Sequence, residues 1–346
     1  MSTPIWADSD RAARFQSWFE HQADLHGLDG NSLRLASADA SSRRYLRCDA
    51  QGRSLVIMDA PPQSNANTAA FVHNAGLLKA CGLHAPEVLA ADLEQGFLLL
   101  EDLGEQTYLQ ALQAAGAAEA DRLMRAALAA LVQWQLRADA STLPIYDEAF
   151  IRRELALFPE WCVQLEYGRS WTEQQQHWWQ RSCDALVRSM LEQPQLAMHR
   201  DYMPRNLMVC EPGPGILDFQ DAVRGPIAYD IASLLRDAFI SWDEERELDW
   251  AIRYWELARK QGLPLDADFG EFWRQIEWTG LQRHLKILGL FCRLKHRDGK
   301  PHYAEDLPRF FAYAIKVSTR YVELAPLTQL LEDLRGNLVQ TGFSLR

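Results

Sequence analysis

Apolar and polar positions recur on two different periods along this chain of 346 residues. Residues 8–27 read as a helix, with Trp6, Phe15, Trp18 and Phe19 gathering into one apolar face. Asp29-Gly30-Asn31 breaks it, and the period then falls to two. Leu33-Arg34-Leu35-Ala36 alternates, Tyr45-Leu46-Arg47-Cys48 alternates, Gln51-Gly52 turns, and Leu55 to Met58 is a short apolar run. This predicts a three-stranded antiparallel meander. Pro86 to Ala91 and Phe97 to Leu100 supply a fourth and fifth strand, and Glu101-Asp102-Leu103-Gly104 ends the strand pattern. Beyond Gly104 the period is helical. Residues 118–137 place Leu123, Ala127, Leu128, Leu131 and Trp134 at spacings of three and four. Residues 147–166 are expected to form one helix with Phe150, Leu155, Phe158 and Trp161 facing inward. Further helices are expected over 172–191, 243–261, 269–294 and 306–324. The pattern therefore divides the chain into a strand-rich part to about residue 103 and a helical part from residue 104 to 346.

One stretch inside the helical part breaks the pattern. Between Met198 and Asp237 come His199, Asp201, Asn206 and Asp218, in that order. Leu207 to Cys210 is strand-like, Glu211-Pro212-Gly213-Pro214 is a turn by composition, and Gly215 to Asp218 is a second short strand. Pairing of the two strands brings Asn206 and Asp218 side by side at the open end of a hairpin, with Asp201 on the loop before it. A carboxylate, a carboxamide and a second carboxylate at one edge form a set of hard oxygen donors that suits Mg²⁺.

The totals narrow the function. A net charge of −11 disfavours nucleic acid or an anionic membrane as partner. No apolar run approaches the length that spans a bilayer, and the charged N-terminus has no apolar run of a leader, so a cytoplasmic protein is expected. The six cysteines are scattered without a CxxC pair and read as reduced thiols. Nine of the twelve tryptophans follow residue 160; core packing accounts for most, and one or two are candidates to line a sugar pocket.

The motif resembles a known family. HxDxxxxN followed by a hairpin and an aspartate is the catalytic core of the kinase-like phosphotransferases, and His199-Arg200-Asp201 with Asn206 fits it. Leu217-Asp218-Phe219 stands where that family has its metal-binding Asp-Phe-Gly, and Tyr229-Asp230-Ile231-Ala232-Ser233-Leu234-Leu235 is similar to the aminoglycoside/choline phosphotransferase branch. The resemblance implies an α+β, two-lobed protein-kinase-like fold, with an antiparallel sheet in the small lobe and a mainly helical large lobe, and with ATP and Mg²⁺ as cofactors. It implies Asp201 as the group that orients the acceptor hydroxyl and takes its proton, and Asn206 and Asp218 as metal ligands. It puts the loop Ser37 to Arg44 over the nucleotide phosphates, with Ser41 and Ser42 as donors. The Glu101 carbonyl and the Leu103 N–H would carry adenine, and Met208 belongs to the same nucleotide-binding set.

Two departures stand out. The family's phosphate-holding lysine is replaced by Met58, and the helix of about Asn67 to Ala80 has no acidic residue to pair with one. Arg43 or Arg44 is the expected substitute, Arg44 first, since a guanidinium binds phosphate through two N–H groups and needs no acidic partner to stay charged. Asp230 is expected to serve structure: an N-cap for the following helix, or, by the resemblance, a brace for the catalytic loop. A second His-Arg-Asp at His296-Arg297-Asp298 lacks the downstream asparagine, with Tyr303 in its place, and reads as a polar connection between helices.

The run QRHLKILGLFCRLKHRDGK ending at Lys300, together with Asp306-Leu307-Pro308-Arg309, resembles a narrower bacterial group. Its members phosphorylate N-acetylmuramate and N-acetylglucosamine at the anomeric hydroxyl in recycling of cell-wall sugars. That implies a small amino sugar as the partner of a monomeric enzyme. The muramate carboxylate calls for a cation, and Arg200, Arg205 and Arg224 are the nearest in sequence; Asp221 is a candidate for metal or a substrate hydroxyl. Two rival readings stand beside this one: a kinase for a cationic acceptor such as an aminoglycoside or amino alcohol, and a nucleotide-binding pseudokinase scaffold.

Overall fold

The structure is a computed structural model that describes residues 6, 8–37, 43–62 and 67–335; Ser41 and Ser42 lie outside them. The chain opens with helix α1 (Ser9–His26). Asp8 caps it by accepting from the Asp10 N–H, and Gly27, at φ 68°, ends it in the left-handed conformation that glycine adopts without strain. Strands β1 (Leu28–Ser37), β2 (Arg44–Ala50) and β3 (Arg53–Asp59) form the expected meander, and β4 (Val88–Asp92) and β5 (Phe97–Glu101) complete an antiparallel sheet of order β1-β2-β3-β5-β4. Phe15, Trp18 and Phe19 of α1 pack with Leu46, Leu55, Ile57, Phe97 and Leu99, so the helix covers one face of the sheet. Helix α2 (Thr68–Ala80) lies between β3 and β4 in sequence, and α3 (Tyr108–Ala114) and α4 (Ala117–Arg137) follow β5.

Helix α5 (Glu148–Leu157) begins as expected, but the single helix 147–166 does not form. From Phe158 to Glu166 the backbone winds as a π-helix. Pro159 has no N–H for the i−4 bond, so the regular ladder breaks at its position. Gly289 sits against this junction: a Cβ there would lie 2.3 Å from the Leu157 carbonyl, so only glycine lets the two helices approach this closely. Helix α6 (Glu173–Glu192) starts in a Thr172–Gln175 capping box. It is followed by β6 (Gln195–Met198), the hairpin strands β7 (Leu207–Met208) and β8 (Gly215–Ile216), and β9 (Val223–Pro226), which pairs with β6. Helices α7 (Ala228–Leu235), α8 (Glu244–Lys260), α9 (Phe269–His296), α10 (Leu307–Ser318) and α11 (Ala325–Arg335) complete the described chain. Trp171 and Trp179, with ring centres 5.4 Å apart, line a surface cavity of about 380 Å³ with Gln164, Gln176 and Gln180. Among the described residues no helix is long and apolar enough to cross a membrane.

Contacts group the chain into two compact units, residues 1–138 with 205–222 and residues 139–204 with 223–346. The helices 108–137 and the hairpin cluster with the sheet because backbone bonds and side chains tie them there. Val209 N–H donates to the Gln106 carbonyl, Ile216 N–H to the His84 carbonyl, and Gln133 on α4 donates to the Cys81 carbonyl.

Candidate active site

In the strand-rich unit the hairpin places the expected pair. Leu217 N–H donates to the Asn206 carbonyl at 2.9 Å, which extends the pairing one step beyond β7 and β8. The second strand stops short of Asp218, which adopts φ 62°, a left-handed backbone that no strand continues through. The turn brings its carboxylate back toward Asn206, whose Nδ2 lies 3.4 Å from Asp218 Oδ2. Gln220 Nε2 donates to Asp218 Oδ1 at 2.8 Å and to Asp221 Oδ2 at 3.2 Å. Arg43 Nη1 is 3.6 Å from Asp218 Oδ1. Phe219 anchors the segment: its ring packs on Phe71 of α2, and its carbonyl accepts from Asn74 of α2. The helix that lacks an acidic residue thus holds the backbone next to Asp218 by an amide and an aromatic ring.

Arg44 has a different neighbourhood. Its guanidinium donates to Asp59 Oδ2 at 2.8 Å and stacks on the Trp6 ring, 3.6 Å from the ring centre. Arg11 takes the other oxygen of Asp59 through Nε at 3.0 Å and Nη2 at 2.5 Å, and also reaches the Gln95 carbonyl. Asp59 is buried between two arginines, one residue beyond Met58, which is itself fully buried in β3 opposite Tyr45 and Leu98. Glu101 ends β5 with its carboxylate on the Glu87 N–H and His84. Leu103 and Met208 converge on Gly215: a Cβ there would meet Leu103 Cδ1 at 2.7 Å and Met208 Cβ at 3.2 Å.

In the helical unit, the loop after β6 carries Asp201. Asp230 accepts from the His199 N–H at 2.7 Å and the Arg200 N–H at 3.0 Å. It sits inside the first turn of α7, whose N-cap is Ile227, so it braces the loop and does not cap the helix. Burial drives the Asp230 carboxyl up to about 7, against the two backbone N–H groups that favour its anion. His199 is buried against Tyr202. Arg200 holds φ 74°, and its guanidinium lies 3.1 Å from Glu154 and over the Phe150 ring. Met203 N–H donates to the Asp201 carbonyl at 3.0 Å. Arg224 is fixed in β9 opposite Ala197, bonded through its backbone to Pro144 and Tyr146. Arg205 stands in the short 3-10 turn that ends at Asn206.

Sequence reasoning missed three groups here: Asp59, Glu154 and Lys286. Glu154 was detectable, because with Ile151, Leu155 and Phe158 it falls on the buried stripe of its helix. Burial alone would raise its carboxyl, but Lys286 at 2.9 Å and Arg200 pull it down to about 2.

Known proteins resemble this chain in sequence and fold. Residues 32–269 match the model of the phosphotransferase enzyme family. A protein of Pseudomonas aeruginosa named N-acetylmuramate/N-acetylglucosamine kinase is 51% identical over 86% of this chain and 87% of its own. One of the same name from Pseudomonas putida is 47% identical over 96% of this chain and 95% of its own. The solved structure of the ADP-bound aminoglycoside phosphotransferase APH(2'')-Ib shares only 14% of residues, but superposes with a TM-score of 0.60 over 85% of this chain and 96% of that one, which shows a common fold. The protein belongs to the phosphotransferase enzyme family.

Proposed function

We propose that the protein is an ATP-dependent kinase that phosphorylates N-acetylmuramate and N-acetylglucosamine at the anomeric hydroxyl. The observation that carries this is close similarity over almost the whole chain to kinases named for these two sugars, supported by the Asn206–Asp218 pair at the open end of the hairpin. The Asn206–Asp218 pair fits a magnesium ion: both side chains offer hard oxygens, and Mg²⁺ takes one or two protein oxygens and completes its shell with water and phosphate. When bound there, the ion would neutralise charge on the nucleotide phosphates.

The chain's own groups do the rest. Asp201 orients the acceptor hydroxyl and takes its proton. An anomeric hydroxyl is more acidic than the other sugar hydroxyls, so alignment contributes more than basicity. Arg43 meets the phosphates, since it already stands at the Asp218 carboxylate while Arg44 is engaged by Asp59 and Trp6. The Leu103–Gly215–Met208 contact forms part of the adenine seat. The protein acts on small sugars as a monomer in the cytoplasm.

A coupled ADP-release assay with Mg·ATP tests this, with N-acetylmuramate, N-acetylglucosamine, an aminoglycoside and choline as acceptors. Loss of reducing-end reactivity in the product identifies an anomeric phosphate. Turnover confined to a cationic acceptor overturns the substrate assignment. Arg43→Ala should raise the KM for ATP about tenfold, the worth of one charge-assisted contact, and more than Arg44→Ala does. The reverse order removes Arg43 from the phosphate site.

A further inference from the structure

The segment ending at Lys300 supplies side chains that the mechanism above does not use. Gln282 and Lys286, four residues apart and so on one face of α9, both reach Glu154. Gln282 Nε2 is 3.2 Å from Oε2, and Lys286 Nζ is 2.9 Å from Oε1. Tyr146 donates its hydroxyl to Oε2 at 2.5 Å, and Arg200 Nη2 lies 3.1 Å from Oε1. A carboxylate has about four acceptor sites, and these four groups fill them.

One buried negative charge is thus shared by two cations. The Lys286 ammonium has three donors. Among the described residues it meets Glu154 and, at 3.4 Å, the Tyr229 hydroxyl. The Lys286 side chain is 13% exposed and that of Arg200 is 17% exposed, against 8% for Glu154, so the cations border solvent and the carboxylate lies beneath them. Burial works against the Lys286 charge, but Tyr229, Glu154 and Asp201 outweigh it and its pKa is raised. The ammonium therefore stays charged, within the electrostatic reach of the carboxylate that handles the acceptor hydroxyl.

We propose that Lys286, fastened by Glu154, receives the carboxylate of an acidic acceptor sugar and so sets the preference for N-acetylmuramate over N-acetylglucosamine. The inference rests on the function proposed above. These two sugars differ by a lactyl ether that carries one carboxylate, which is what a cation beside the catalytic loop distinguishes. Arg200 is held on the same Glu154 oxygen and also lies over the Phe150 ring.

The test is the ratio of kcat/KM for N-acetylmuramate to that for N-acetylglucosamine, which divides out any effect common to both sugars. Lys286→Met should lower the ratio about tenfold to a hundredfold, the range of one hydrogen bond to a charged group. Lys286→Arg should restore part of it. A ratio unmoved within about twofold overturns the proposal; so does an equal loss on both sugars, which would make Lys286 a positioning residue. If the methionine variant fails to fold, the wild-type enzyme suffices. The lactyl methyl ester of N-acetylmuramate should be used at least about tenfold less well than the free acid, and equal use overturns the proposal. Failure of the functional reading looks different: the wild-type enzyme would then turn over neither sugar.

Discussion

The tripeptide His-Arg-Asp occurs twice in the helical unit, and the two copies have nothing in common but their letters. At 199–201 the histidine is buried, the arginine holds φ 74°, and the backbone N–H groups of both rest on the buried carboxylate of Asp230. At 296–298 the string ends α9. His296 joins Lys295 on Glu166, and Arg297 pairs with its own neighbour Asp298 at 2.7 Å on the surface. The first copy is held in a conformation that a free peptide would leave, and its aspartate is presented by that constraint. The second is the natural end of a helix. A motif of three residues has meaning only through what lies beneath it.

The sharpest way to break this comparison is to change the same atom in both copies. Asp201→Asn should bind ATP and sugar but lose turnover by about a thousandfold, within the range for a removed general base. Asp298→Asn should keep turnover within a factor of about two, since it loses only an exposed pair. Similar rates for the two variants would end the distinction.

Next in size is the support itself. Asp230→Ala leaves the His199 and Arg200 N–H groups without their acceptor, at about 1–3 kcal/mol each, read as a lowered urea midpoint. Asp230→Asn sharpens this through pH. The native carboxyl titrates at about 7, whereas the unfolded one titrates near 4, so between those values the native state holds a proton that the unfolded chain has released. Wild-type stability should therefore decline as pH rises from about 4 to about 7, by up to about 1.4 kcal/mol per unit. The asparagine variant should lack that decline in urea titrations at pH 5 and 7.5. The same slope in both variants would put the proton elsewhere.

The smallest effect belongs to the second copy. Glu166→Gln removes the partner of Lys295 and His296 and should cost about 1 kcal/mol or less, with unchanged sugar turnover. A large loss of activity would mean that the end of α9 reaches the chemistry after all.

What the sequence revealed follows from the range of the forces involved. The sheet, the hairpin and the long helices came from periodicity and turn chemistry, which act within a few residues. That Asn206 and Asp218 come together was legible because one hairpin holds both. Pro159 is visible too, and the ladder of the helix expected over residues 147–166 breaks there. The pairing of Asp59 with Arg11 and Arg44, and of Glu154 with Lys286, joins side chains far apart in the chain. Neither pairing leaves a local signal beyond a charged residue on an apolar stripe.

The methionine at position 58 has a consequence for chemical labelling. The strand-rich unit contains one lysine, Lys79, and that one is exposed on the last turn of α2 and paired with Glu87. Nucleotide reagents that tag kinases by acylating an amine beside the phosphates have no amine to react with at a buried thioether. Where modification at position 58 is the readout, such reagents leave this protein unmarked, and a photoreactive nucleotide, which needs no amine, is the probe that this strand calls for.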